Sequence, residues 1–332
     1  MRVLCFVLLL TYAWETSAQG DHSFTFLDVP TSVFLAGIGG LNVSRSDRDN
    51  NLITSNPALV SSEMHGHLGL SFIGYPGQIK VSNVTYSSNV GNNGIWTANI
   101  VYFNYGEINA FDDTGASIGK FKSSDYAVTI GKSHQVGHFR LGGNLKIVGS
   151  QIAGYGATGL AADIGGSFIH PTSDFVVGLV MKNIGAVVSD YTLESNSKMP
   201  FDVQVGTSFK PLHMPFRFSL SIYDLTQWSK NTLNLEDKST ADEVLFHTIW
   251  GLEMLIGKYV NILFGYDHKK RQELKIATTG SGSGFSYGIL IGVNAFEFGY
   301  SRASYHVAGA ANTFTLRTEL TKLVRNKKTI EN

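Results

Sequence analysis

Residues 201–210 read Phe-Asp-Val-Gln-Val-Gly-Thr-Ser-Phe-Lys, alternating between apolar and polar. A period of two sends successive side chains to opposite faces of a strand. Phe201, Val203, Val205, Thr207 and Phe209 make one face; Asp202, Gln204, Gly206, Ser208 and Lys210 make the other. The pattern recurs almost to the C-terminus. After residue 64 it predicts about fourteen strands, at 65–75, 78–88, 94–106, 119–133, 137–152, 158–169, 174–188, 200–210, 215–226, 243–257, 259–270, 284–294, 296–305 and 312–323. Several reach the 9–11 residues, roughly, that a tilted strand needs to cross a bilayer.

Loop lengths separate a membrane barrel from a soluble exported sandwich. From the second strand onward the connections alternate. The short ones are 89–93, 134–136, 171–173, 212–214, Lys258 and Ala295; the long ones lie near 107–118, 189–199, 227–242 and 271–283. Short turns at one end and longer loops at the other are the habit of outer-membrane barrels. The rule weakens at 75–77, 153–157 and 306–311, which become short outer loops.

The faces agree with a barrel. Arg140, Asn144, Lys146, Asp202, Gln204, Arg317 and Glu319 are expected inward, and Phe139, Leu141, Phe201, Val203, Phe314, Leu316, Thr318 and Leu320 toward lipid. Charges confined to one face are cheap where that face is wet or well paired. The expected fold class is therefore all-β, a transmembrane antiparallel β-barrel.

Residues 19–64 lack this alternation. Asp28-Val29-Pro30-Thr31 can cap a short helix through Leu35 to Ile38, which Gly39-Gly40 would stop. Asn56-Pro57-Ala58-Leu59 reads as a turn entering another helical turn. This stretch is expected to fold into the lumen as an N-terminal plug. Before it, Met1-Arg2, an apolar run at 3–10 and small residues at 16–18 form a secretory signal pattern, with cleavage expected after Ala18. The residues after 323 form a basic tail with Arg325, Lys327 and Lys328.

Composition narrows the picture. The 332 residues carry 26 Lys plus Arg against 26 Asp plus Glu, so no global field attracts nucleic acid. Glycine is plentiful (36), proline scarce (7), and the one cysteine, Cys5, lies in the signal, so a mature chain starting at Gln19 has neither thiol nor disulfide. No apolar run beyond the signal approaches the length of a membrane helix. Such a chain enters a membrane only as a closed barrel.

Several stretches together resemble a known group. Phe26-Leu27-Asp28-Val29-Pro30, Asn56-Pro57-Ala58-Leu59, Ser123-Ser124-Asp125-Tyr126-Ala127, Asn144-Leu145-Lys146, and the run from Pro200 through Pro215-Phe216-Arg217-Phe218-Ser219-Leu220 to Trp228 resemble FadL-type outer-membrane barrels. Within that group they are most similar to the PorV/PorQ family of the type IX secretion system, the last run to its PorQ branch. The resemblance implies a barrel of 14 strands with a luminal plug in the bacterial outer membrane. It implies a non-enzymatic component that anchors a surface sortase complex, with the sortase, its surface partner proteins, outer-membrane lipid and lipopolysaccharide as partners and no cofactor. The FadL likeness alone implies the alternative, a transporter of hydrophobic small molecules. The chain departs from the pattern in continuing past Leu323 where barrels often end on an aromatic residue.

Other chemistry is sparse. His65 and His67 share a face if both lie on one strand, but read as polar lumen residues without a third ligand. Asp47, Asp49, Asn50 and Asn51 approach a calcium loop that Arg48 interrupts. Asp267-His268 lacks a serine motif, Asp112-Asp113 reads as a turn, and 280–284 as a flexible Gly/Ser loop. No catalytic or metal residue is assigned. Phe111, Tyr191 and Trp228, aromatics in polar outer loops, are the candidate partner contacts.

Overall fold

The computed structural model describes residues 23–45, 49–91, 94–228, 240–274, 282–306 and 309–323. Fourteen antiparallel strands close into one barrel: β1 (His67–Gly74), β2 (Lys80–Asn89), β3 (Ile95–Phe111), β4 (Ser117–Val136), β5 (Phe139–Ile152), β6 (Tyr155–Ile169), β7 (Asp174–Ser189), β8 (Asp202–Lys210), β9 (Phe216–Ile222), β10 (Thr248–Ile256), β11 (Val260–Asp267), β12 (Phe285–Val293), β13 (Phe296–His306) and β14 (Gly309–Glu319). Each pairs with its neighbours in sequence, and β1 closes on β14 from His67↔Glu319 to Gly74↔Asn312. Closure leaves no sheet edge around the ring, the condition for crossing lipid with strands. Among the described residues no helix is long and apolar enough to cross a membrane.

The alternation does the sorting. In β2, Val81, Asn83, Thr85 and Ser87 are buried inward while the residues between them face out. Leu70, Phe72, Ile130, Leu145, Ile147 and Phe298 stand exposed on the outer surface, Leu145 at 71%. A continuous apolar belt of this extent is stable only against lipid. Arg140, Asn144, Lys146, Asp202, Gln204 and Arg317 are all buried, and Phe139, Leu141, Phe201 and Phe314 exposed, as the alternation requires. Thr318, on the outward row, is instead shielded at 9%, paired with Leu68 and Phe296. Leu320 lies beyond the end of β14.

Several boundaries differ from the sequence reading. β3 and β4 run on to Phe111 and back from Ser117, so the connection expected at 107–118 shrinks to 112–116. Asp112 closes it by accepting from the backbone N–H of Thr114 and Ala116. β9 stops at Ile222, short of the expected residue 226. The strand expected from 243 starts at Thr248, because a helix, α2 (Thr240–Phe246), precedes it. The strand expected to reach 270 ends at Asp267, whose carboxylate accepts from Lys270 N and caps another helix, α3 (His268–Glu273). A capping Asp ahead of His-Lys-Lys-Arg-Gln-Glu is a helix start that the strand pattern masked. The β5–β6 connection is a two-residue turn, Ala153-Gly154, with φ of 51° and 91°, the left-handed pair that matches strand twist.

The described residues of 24–64 form short turns on either side of a helical turn, α1 (Val33–Gly37). Its cap is Ser32, whose side chain accepts from Leu35 N, and not the 28–31 run; Gly39 and Gly40 end it at φ 105° and 110°. Almost every residue from Pro30 to Met64 that is described is buried, against inward-facing side chains of strands from all around the ring.

Candidate functional site

The space inside the ring has two storeys. Toward the end with the longer connections, here the outer end, one side of the ring carries an apolar cluster of inward residues: Ile73 on β1, Val81 on β2, Val101 and Phe103 on β3, Ala127 on β4, Val148 on β5, Ala157 and Ala161 on β6, and Ala311 on β14, joined by Met199. Phe24 and Phe26 fill this storey. The Phe26 ring meets Phe103 edge-on with centroids 5.4 Å apart. Phe24 takes a left-handed conformation, φ 61° and ψ 31°, that costs a bulky residue about 1–2 kcal/mol. Among the described residues, one backbone hydrogen bond ties 23–29 to the wall side, Ser23 N to Lys198 O at 3.1 Å; the others close local turns.

Elsewhere in the ring inward polar side chains are bonded to the chain inside it, beside further apolar clusters that include Leu263 and Leu290 and, near the inner end, Ile95. Asn56 accepts from Ala58 N (3.0 Å), capping the turn Pro57–Leu59, and donates to Val43 O (2.9 Å). Asn144 Nδ2 donates to Ile53 O (2.9 Å), and Arg140 to Leu59 O (3.3 Å). Asn51 Oδ1 accepts from Asn83 (3.1 Å) and Thr85 (2.9 Å). Across the ring, Val33 N donates to Thr315 Oγ1 and Ser286 to Gly37 O. Three charges of the inner chain pair with the wall: Asp28 with Lys182 (3.7 Å), Arg45 with Glu253 (3.0 Å) and Asp49 with Arg317 (2.9 Å). Lys146 and Asp163 form a further buried pair at 2.7 Å. Breaking such a pair strands a buried charge, so the pairs fix the register of the inner chain more than they add stability.

Close approach of backbone to wall needs glycine. A Cβ on Gly178 would run into the Val43 carbonyl, and one on Gly165 into the Asn56 side chain. These glycines let the inner chain lie directly on the strands. Between the storeys a void of about 20 Å³ is lined by Phe26, Leu27, Thr54, Asn99, Val101 and Lys146, room for one water.

The residues singled out in the sequence have different fates. Asn56, Pro57 and Ala58 sit at the heart of the polar storey, fully buried. Phe111 is the last residue of β3 and 60% exposed. Tyr191 does not stand on the rim; it is partly buried against the apolar storey. Trp228 stacks on His247, centroids 4.3 Å apart and planes 18° off parallel. His65 precedes β1 and accepts from Asn89 N, while His67 faces Glu319 at 3.7 Å, so the two do not converge. Asp47, the signal region, Gly280 and the basic tail lie outside the described residues. Among the described residues no three His, Cys, Asp or Glu are grouped to hold a metal. Sequence reading missed the apolar storey. Its signal was the loss of alternation at Ile100-Val101-Tyr102-Phe103, apolar on both faces.

A closed barrel of fourteen strands around an enclosed stretch of its own chain belongs to a recognisable architectural class. Solved structures of that class match the chain. One described as a TodX monoaromatic hydrocarbon channel mutant aligns over 87% of this chain and 97% of its own, at 12% identity and a TM-score of 0.55. A FadL homologue from Pseudomonas aeruginosa aligns over 87% and 98%, at 10% identity and a TM-score of 0.50. The chain thus has the fold of FadL-type outer-membrane barrels, a likeness of fold alone at these identities. No family model and no curated protein matches the sequence.

Proposed function

We propose that this chain is a bacterial outer-membrane barrel that admits small apolar molecules, with the apolar outer storey as their receiving chamber. The observation that carries this reading is the apolar cluster that lines the β1–β6 and β14 side of the outer lumen. Phe24 and Phe26 occupy the chamber as surrogate ligands. They are held by apolar contact, with the Ser23 backbone bond and the Asp28–Lys182 pair flanking them, and Phe24 is strained. An apolar solute can replace what they bury, about 1.5–3 kcal/mol for each side chain. The fold shared with a hydrocarbon channel supports the same reading. In proteoliposomes the full chain should speed entry of toluene over entry of a sugar of similar size. Filling the chamber by Ala127→Trp should abolish the difference. Equal rates with and without the protein would end the proposal.

One observation favours a second reading, in which the barrel anchors a surface-attachment complex of the type IX system with its sortase and surface partners. The β3–β4 hairpin continues past its neighbours: β2 stops at Lys80↔Asn104 and β5 at Ser123↔Ile152. It lifts Phe111 and Ile118 clear of the wall, 60% and 65% exposed. Deleting 107–120 should then impair display of secreted cargo and leave toluene entry intact. Normal display in that deletion strain would remove this reading.

A further inference from the structure

Every described buried cation of the wall but one meets a carboxylate. Lys146, Lys182 and Arg317 face Asp163, Asp28 and Asp49 in turn. Arg140, on β5 two residues from the β4–β5 turn, is 6% exposed and has no carboxylate within 4 Å among the described residues. Glu63 acts on it through space. One donor of Arg140 reaches Leu59 O (3.3 Å) and another Gln135 Oε1 (2.9 Å). Its Nε–H is buried and has no acceptor. Ser133, 3% exposed, has a hydroxyl without a partner. Both residues line a recess of about 200 Å³ at the inner mouth, bounded also by Val60, Ser61, Ser62 and Ile95.

We propose that this recess is a binding site for small monocarboxylates, with Arg140 as the anion anchor. A buried donor left without an acceptor is costly, and an unpaired buried cation more so. A carboxylate relieves both. It matches the planar guanidinium fork and can take a further bond from a hydroxyl such as that of Ser133. The Arg140 charge, partly offset through space by Glu63, suits a monoanion better than a multiply charged anion, and the Val60 and Ile95 side chains give an apolar body something to rest on. The site lies at the opposite end of the lumen from the apolar chamber, and its occupancy can be read without transport.

The test uses the full chain in detergent micelles, titrated by calorimetry with benzoate and separately with inorganic phosphate. Benzoate should bind saturably. Arg140→Gln should weaken it at least tenfold, Arg140→Lys should restore only part of that loss, and Ser133→Val should weaken it a few-fold. Phosphate should bind at least tenfold more weakly than benzoate. Folding of each variant is checked by its faster migration on unheated gels; if Arg140→Gln does not fold, Arg140→Lys and Ser133→Val carry the comparison. Absence of saturable benzoate binding, unchanged binding in the folded Arg140 variants, or phosphate binding as tight as benzoate would each overturn the assignment.

Discussion

The two storeys of the lumen are built on the same strands, yet they hold their contents by different forces. In the inner storey Asn56, Asn51 and Asn144 tie the enclosed backbone to the wall through directional bonds. In the outer storey Phe24 and Phe26 are held by contact with Val101, Phe103 and their neighbours. Directional bonds specify one partner in one place. Apolar contact accepts any greasy body of suitable size. The difference separates a permanent fixture from a replaceable one within one continuous segment.

The largest effect should come from the fixture. Asn56→Ala removes a cap worth about 1 kcal/mol and orphans the Val43 carbonyl at about 1–3 kcal/mol. Urea unfolding in micelles should show a loss of about 2–4 kcal/mol; a loss below about 0.5 kcal/mol, the range of ordinary surface substitutions, would erase the contrast. Phe26→Ala should act locally. Hydrogen exchange in 24–29 should rise about 10- to 100-fold, following about 1.5–3 kcal/mol of lost burial, while the unfolding midpoint moves less than in Asn56→Ala. A change of the opposite order would mean that the outer storey is the structural one.

A smaller effect concerns the outer connection. Burial holds the His247 imidazole below its ordinary 6.5, with the Tyr223 carbonyl bonded to Nδ1 working against that shift. Nε2 is buried without a partner, so a second proton there finds no acceptor. The depressed value means that the unfolded connection takes the proton first. Its stability is whole above 6.5 and falls as the pH drops below it. Trp228 fluorescence should change on acidification from pH 7 in the native protein and stay flat in His247→Phe. The smallest effect is expected at Phe111→Ser, within about 0.5 kcal/mol because that residue is largely exposed; a larger loss of stability would show the hairpin tip to be part of the fold.

The strands were legible because one face meets lipid, which makes the alternation strict. Phe139-Arg140-Leu141 and Phe314-Thr315-Leu316-Arg317 sort as their spacing demands. Legibility failed where the chain leaves the membrane. α2 and α3 are too short for a helical period to stand out from the strand runs beside them, so only the Asp267 cap marked a helix start. The Asn56 turn was visible because Asn-Pro is a local signal. Its contacts with Val43 and Gly166 were not, since they join residues far apart in the chain. Tyr191 and Trp228 looked alike in sequence, and only the fold places one against the apolar storey and the other on a histidine.

The glycines beneath Val43 and Asn56 bear on how the molecule comes to exist. A wall shaped by direct contact with an enclosed backbone cannot be finished first and filled later. The final seam, β1 against β14, joins residues about as far apart as the barrel allows, and such distant pairings form slowly. The described residues of 30–64 are therefore expected to act as a former around which the sheet rolls before the seam closes. Refolding of a chain lacking 24–60 should stall as an open sheet, because wall groups such as Arg140 and Asn144 would then lose the Leu59 and Ile53 carbonyls they bond.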